Sequence, residues 1–269
     1  MTINPLRRCA LHVVVLSVAL LAGCAGLSTA RNPAAVQALA PTGKLRVGLY
    51  PGTPTSIIGD PASGNAKGVG FELGRELAQR AGVPFEPVVF TNNAEVFAAA
   101  KSGSVDMVFT NATPARIKEL DFSPTVLQIE QGYLVGPDSA IRAVAEIDRT
   151  GVRVGVSAGS TSEAMLSRAL RNASVVRTPS LKAAIDMLAA GKLEAFATNK
   201  AALFEMSDEL PGSRVLAGRW GLESLAIGIP KGREAALPLV SSFAADAKAS
   251  GGVARAVARA GLRGTVSPD

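Results

Sequence analysis

From Lys44 onward, short β-branched runs alternate with amphipathic segments, the pattern of βα units arranged around a largely parallel sheet. The runs predict strands at Leu45–Leu49, 85–90, 107–110, 133–135, Arg153–Ser157, 175–177, 195–197 and 225–229. Helices are predicted over 72–81, 94–101, 162–170 and 181–190, with Gly82, Gly103 and Gly191 placed to close three of them. In the last helix Leu181, Ala184, Ile185 and Leu188 share one face, and a glycine just past the end is the expected stop. Residues 25–43 are rich in Ala, Ser, Thr, Asn and Pro without a sustained period, which predicts a tether ahead of the folded chain.

The N-terminus has a different pattern. Arg7 and Arg8 precede a mostly apolar run over 10–22, and Leu21-Ala22-Gly23-Cys24 follows. This reads as an export signal. A buried or membrane-spanning helix is the competing reading, but the run is shorter than the ~20 residues that cross a bilayer. The tetrapeptide resembles the lipobox of bacterial lipoproteins, which implies cleavage before Cys24 and lipid attachment to it. An ordinary cleaved secretory signal is the alternative. The arginine pair lacks the rest of a twin-arginine motif, favouring a Sec-type route.

Composition then removes several chemistries. The 269 residues are 48% hydrophobic and 19% charged, enough for one or two domains with real cores. The one histidine, His12, and both cysteines, Cys9 and Cys24, lie in the first 24 residues. After cleavage no histidine remains and the surviving cysteine is the lipid carrier. Histidine-relayed hydrolysis, thiol redox chemistry and structural zinc lose their usual side chains, and no cofactor or metal is expected. The net charge of +6 loses two units with Arg7 and Arg8. The remaining cations are not clustered, and one Trp with two Tyr makes no stacking platform, so a nucleic-acid partner is not expected.

An internal repeat is the most informative feature. Arg46-Val47-Gly48-Leu49-Tyr50-Pro51-Gly52-Thr53 aligns with Arg153-Val154-Gly155-Val156-Ser157-Ala158-Gly159-Ser160. Farther on, the nine residues from Gly103 to Asn111 align with those from Gly191 to Asn199, both ending in Thr-Asn. The matches occur in the same order, which predicts two related lobes. In open α/β sheets ligands bind beyond the carboxyl ends of strands, and both motifs end there in hydroxyl and amide residues. Two facing lobes would line one cleft suited to a small polar solute.

These residues resemble the extracellular solute-binding proteins of ABC transporters, type II fold, family 3, best known for polar amino acids. The resemblance rests on Val47-Gly48, on Gly70-Phe71-Glu72-Leu73-Gly74-Arg75-Glu76-Leu77 and on Gly103 to Asp106. It continues through Thr113-Pro114-Ala115-Arg116, Asp121-Phe122-Ser123-Pro124, the stretch from Val154 to Thr161, Gly191 to Glu194 and Ile229-Pro230-Lys231-Gly232. It implies an α/β, two-lobed periplasmic-binding-protein type II fold. Each lobe would be a mostly parallel sheet flanked by helices, with two crossover strands between lobes. The domain reading is signal 1–23, anchor and tether 24–43, lobe 1 at 44–135 plus 222–262, lobe 2 with the hinge crossings at 136–221, and a C-terminal tail at 263–269.

The resemblance assigns roles by motif position. Arg116 would clamp the ligand's carboxylate, since a guanidinium matches two carboxylate oxygens; its alternative is a surface salt bridge with Glu119. Asn111, with Thr110, falls where the family uses a small polar ligand contact. Ser160 and Thr161 sit at a helix start, where free N–H groups favour an anion and a plain N-cap is the alternative. Asn199 stands where amino-acid binders carry the aspartate that pairs with the α-ammonium. Thr55 follows Pro54 where the family often has an aromatic cover, and Tyr50 offers a ring nearby or simply packs. A neutral amide cannot offset a buried ammonium, so a small anion without one is expected in place of an ordinary α-amino acid.

The function these readings imply is a lipid-anchored, monomeric envelope protein that closes on a small anionic solute and delivers it to an ABC permease in the inner membrane. The crossings are expected near 135–138 and 219–224, with Trp220 beside the hinge. The alternatives are a secreted cyclohexadienyl-type dehydratase on the same fold, with Glu72, Glu130 or Glu163 as candidate acids, and a free-standing ligand sensor.

Overall fold

A computed structural model describes residues 32–266; the signal, Cys9, His12 and the Cys24 lipid site lie outside the described residues. In chain order the elements are α1 (Pro33–Leu39), β1 (Leu45–Leu49), α2 (Val69–Ala81), β2 (Phe85–Val89), α3 (Asn93–Lys101), β3 (Met107–Asn111), α4 (Pro114–Ile117), β4 (Leu120–Phe122) and β5 (Leu127–Val135). There follow β6 (Arg153–Ser157), α5 (Thr161–Ala169), β7 (Ser174–Thr178), α6 (Leu181–Ala189), β8 (Ala195–Asn199) and α7 (Lys200–Glu209). The chain finishes with β9 (Arg214–Val215), β10 (Gly221–Pro230), α8 (Leu237–Ala249), α9 (Gly252–Ala260) and β11 (Thr265–Val266).

The repeat is structural. Lobe 1 runs β1-α2-β2-α3-β3 with its strands in parallel order β2-β1-β3. Lobe 2 runs β6-α5-β7-α6-β8 with the matching order β7-β6-β8. The repeated sequence positions do the same work twice. Arg46 donates from Nε and Nη2 to Asp106 and from Nη2 to the Gly103 carbonyl. Arg153 makes the same three contacts to Glu194 and the Gly191 carbonyl. Each pair ties the start of a lobe's first strand to the turn before its third. The glycines of the repeat follow from packing: a Cβ on Gly48 would lie 3.1 Å from Val105, and one on Gly155 would lie 2.5 Å from Leu193. Val105 and Leu193 are themselves repeat partners.

Alternation along the strands sorts the cores. Leu45, Val47 and Leu49 face a cluster built with α2, α8 and α9, while Gly48 faces the cluster of Val96, Ala100, Val105 and Val108 beneath α3. In lobe 2, Val154 and Val156 join Leu166 of α5, and the opposite face holds Ile185, Leu188, Leu193 and Phe196. Each lobe is thus a sheet covered on both faces, as parallel strands require.

Two long strands join the lobes. β10 lies antiparallel to β3 and then to β5, pairing Gly221–Leu225 with Gln131–Leu127. From Gln131 onward β5 pairs with β8 of lobe 2. The outward crossing therefore lies at Gln131–Gly132, inside a strand, several residues before the expected 135–138. The sequence showed only the last three residues of β5 as a strand because its first half, with Gln128, Glu130 and Gln131, breaks the apolar run. Trp220 sits at the return, its N–H donating to the Gln131 carbonyl at 3.0 Å and its Nε1 to the Gly132 carbonyl at 2.9 Å.

Both ends depart from expectation. Within the expected tether, 33–39 is helix α1, with Ala35, Leu39 and Ala40 buried against lobe 1. Its short length and Ala-rich composition hid this amphipathic turn. The expected tail at 263–269 contributes Thr265 and Val266 to the sheet opposite Ile129 and Gln128.

Candidate ligand-binding cleft

The carboxyl ends of β1 and β3 face those of β6 and β8 across the β5–β10 junction. A cavity there takes walls from both lobes, and all eight residues singled out in the sequence line it: Tyr50, Thr55, Thr110, Asn111 and Arg116 from lobe 1, Ser160, Thr161 and Asn199 from lobe 2.

Arg116 is held from several sides. Thr113 caps the one-turn helix α4, its hydroxyl accepting from the Arg116 N–H, and Pro114 opens the turn. The turn points the side chain inward until only 7% of Arg116 is exposed. Nη1 donates to the Thr110 hydroxyl, and the guanidinium lies 5.1 Å from the centre of the Phe97 ring. Nη2 is buried and has no hydrogen-bond partner. Such an orphan charged donor is costly and is what an incoming anion would satisfy. Burial lowers the guanidinium's pKa, opposed by the fields of Glu223 and Tyr50, yet an arginine stays charged at any physiological pH. The salt-bridge alternative is absent: Glu119 pairs instead with Lys101 at 3.0 Å.

Across the cavity Ser160 caps the nine-residue helix α5, accepting from the Glu163 N–H at 3.1 Å, with Thr161 buried at its first position. On the lobe 1 side, Thr55 is buried and bonded to Thr53 at 2.9 Å. Tyr50 is half-buried; burial, and next the Glu223 carboxylate, push its hydroxyl up to about 12.

The two repeat-related asparagines bracket β10. Asn111 Oδ1 accepts from the Ser224 N–H at 3.1 Å. Asn199 Oδ1 accepts from the Ala202 N–H at 3.1 Å, capping α7, and its Nδ2 donates to Glu223 Oε2 at 3.1 Å. The Asn199 amide oxygen is thereby committed to the helix, and the group it turns toward the cleft is a donor.

Glu223 is an acidic cleft residue that the sequence reading missed, along with polar neighbours such as Thr91, Asn92 and Ser180. It is 8% exposed and lines the same cavity as Arg116. Burial raises its pKa, while Arg116 and the Asn199 hydrogen bond oppose the shift. A signal existed: Glu223 shares the inward face of β10 with Leu225, Ile227 and Ile229, while Leu222 points out at 38% exposure. An acid on the apolar face of a strand marks a site, but the predicted strand began only at Leu225. The expectation of a solute without an ammonium rested on the missing carboxylate at Asn199; the return strand brings the Glu223 carboxyl group within hydrogen-bond distance of that amide.

The three acids considered earlier are engaged elsewhere. Glu72 binds Arg75 and Arg259, Glu130 binds Lys200 and Arg219, and Glu163 holds the Gly159 N–H and Arg177. None lines the cavity.

The pattern that defines the bacterial extracellular solute-binding proteins, family 3, matches residues 45–261. The chain belongs to this family. It is 25% identical over 239 residues to the glutamine-binding protein of Geobacillus stearothermophilus, covering 81% of this chain and 90% of that one. Among solved structures, the L-cysteine solute receptor of Neisseria gonorrhoeae superposes with a TM-score of 0.74 at 25% identity, covering 84% of this chain and 92% of the other. An ancestral amino acid-binding protein, a precursor of cyclohexadienyl dehydratase, does so at 0.72 and 25%, covering 83% and 98%. The type II two-lobed fold is shared with all of these structures, and the family membership places this chain among extracellular solute-binding proteins.

Proposed function

We propose that this protein is the receptor of an ABC importer: it captures a small carboxylate-bearing, amino-acid-like solute between its lobes and presents it to a membrane permease. The observation carrying this reading is the buried, unpartnered Nη2 of Arg116, a residue that lines a cavity with walls from both lobes. A solute carboxylate bound there would accept from Arg116 and from N–H groups at the start of α5, bridging the lobes and favouring closure. The names of the relatives, which bind glutamine and cysteine, support an amino-acid-like solute. The lipobox-like Cys24 supports anchoring to an envelope membrane.

Titration with amino acids, dicarboxylates, phosphonates and sulfonates, followed by Trp220 fluorescence and melting temperature, identifies the class. Arg116→Ala is expected to weaken the best ligand by about 30-fold or more, as removal of a buried charged partner does. Unchanged affinity overturns the clamp.

One observation favours a second reading. A buried acid held toward its protonated form beside a carboxylate clamp is what a general acid requires, and Glu223 meets that description. Turnover of a cyclohexadienyl carboxylate by the purified protein would move it to the dehydratases; binding without turnover keeps it a receptor.

A further inference from the structure

The cleft holds two opposite charges that do not neutralise one another. Arg116 and Glu223 are 7% and 8% exposed and feel each other's fields, yet they form no direct ion pair among the described residues. Had they met, each would satisfy the other and the site would be electrically closed. Arg116 instead spends Nη1 on Thr110 and keeps Nη2 free, and Glu223 accepts from the neutral amide of Asn199. No lysine, arginine or histidine lies within ion-pair distance of Glu223 among the described residues. Removing a carboxylate from water without an ion-pair partner is costly, and the Asn199 hydrogen bond and the field of Arg116 offset only part of that cost.

A ligand that carries both charges repays it at once. We propose that Glu223, positioned by Asn199, is the cation-recognising group of the cleft, so that the solute is a zwitterion whose ammonium meets Glu223 while its carboxylate meets Arg116. This rests on the Arg116 clamp proposed above and adds its counterpart. The position of Glu223 is itself informative: it lies on β10, two residues from the crossing at Gly221 and hydrogen-bonded to lobe 2 through Asn199. A cation bound there touches the junction of the lobes, so ammonium recognition and lobe closure share one group.

The competing account is structural: Glu223 serves only to accept from Asn199. Glu223→Gln separates the two, because glutamine keeps an oxygen acceptor for Asn199 and removes the charge. The probes are the twenty L-amino acids and the matching carboxylic acids that lack the amino group, titrated calorimetrically into the wild type, Glu223→Gln and Arg116→Ala. The wild type is expected to prefer an amino acid to its deaminated partner. Glu223→Gln is expected to lose about 30-fold or more for the amino acid while holding the deaminated acid within about 3-fold, and Arg116→Ala to weaken both.

A second readout comes from protons. Glu223 is faced by Arg116 of α4, Tyr50 beyond β1, Asn199 of β8 and Gln131 of β5, and burial holds its carboxyl toward the protonated form. An arriving ammonium favours the ionised form, so amino-acid binding by the wild type releases protons at pH values where the buried Glu223 carboxyl still holds its proton. The heat of binding then varies with the ionisation enthalpy of the buffer, and in Glu223→Gln this dependence disappears.

Equal losses for both ligand classes in Glu223→Gln, or no loss for either, overturns the proposal and leaves the Arg116 clamp standing. Binding of simple carboxylates with no binding of amino acids does the same. If Arg116→Ala changes nothing, the clamp fails separately, and if neither class binds the wild type, both readings fall.

Discussion

A buried ionisable group without an ion-pair partner is the feature that residue-level physics treats most severely, and in this cleft it occurs twice, at Arg116 and Glu223. The raised pKa of Glu223 has a sign that can be checked. Its carboxyl binds a proton more tightly folded than unfolded, so its favourable contribution is present below the unfolded value of 4.5 and is lost as pH rises through the folded value. Glu223→Gln should therefore raise the melting temperature of the unliganded protein near neutral pH, and the gain should shrink as pH falls toward about 4.5. A gain that grew on acidification would mean that the cleft holds the carboxylate ionised. Strand alternation was sufficient to place Glu223 inward, but only once β10 is known to begin at Gly221. Asn199 shows the converse: its sequence position marked it correctly as a cleft residue, while its hydrogen bonds, set by α7 and β10, give its amide a direction that the sequence did not contain.

Among elements, the repeated strand-and-turn unit combines one geometry with two environments. Asp106 is fully buried and accepts from Arg46 and also from Arg233. Glu194, at the equivalent place, is 32% exposed in its side chain and among the described residues pairs with one arginine, Arg153. Equal geometry does not mean equal energy, because solvent screens the second pair and the first leaves two arginines unpaired if broken. Asp106→Asn should cost about 3–5 kcal/mol in denaturant unfolding, and Glu194→Gln about 1 kcal/mol or less. Comparable losses would show that the repeat equalises the lobes by some other contact. The repeat made these elements legible, since the Arg, Gly and acidic positions recur at matching spacing. Helices α8 and α9 fall beyond the repeat and carry a cover for lobe 1 that no second copy announces.

For the whole molecule, the two termini and the two crossings decide how far each lobe extends. Helix α1 closes one side of lobe 1, where Leu39 is fully buried and its carbonyl accepts from Arg233 at 3.3 Å, the same arginine that binds Asp106. Deleting the chain through residue 43 should destabilise the protein by about 2–3 kcal/mol, the transfer value of one buried leucine with the lost helix contacts. A melting temperature equal to that of the chain starting at residue 32 would make α1 dispensable.

Motif resemblance marked the eight cleft residues in the sequence, and the sequence by itself determined the parts that are local and repeated: the strand and helix periods of each lobe, the helix-closing glycines, and the paired Gly48 and Gly155. Those follow from backbone geometry and steric fit within a few dozen residues, and twofold recurrence made them readable. Only the tertiary structure decided the electrostatics of the cleft. Whether Arg116 meets a neighbour or waits for a ligand depends on Glu119 turning to Lys101, and the carboxyl group beside Asn199 is supplied from a strand 24 residues away. The energy of a buried charge depends on what surrounds it in space, and the chain brings those groups together only when β10 returns between the lobes.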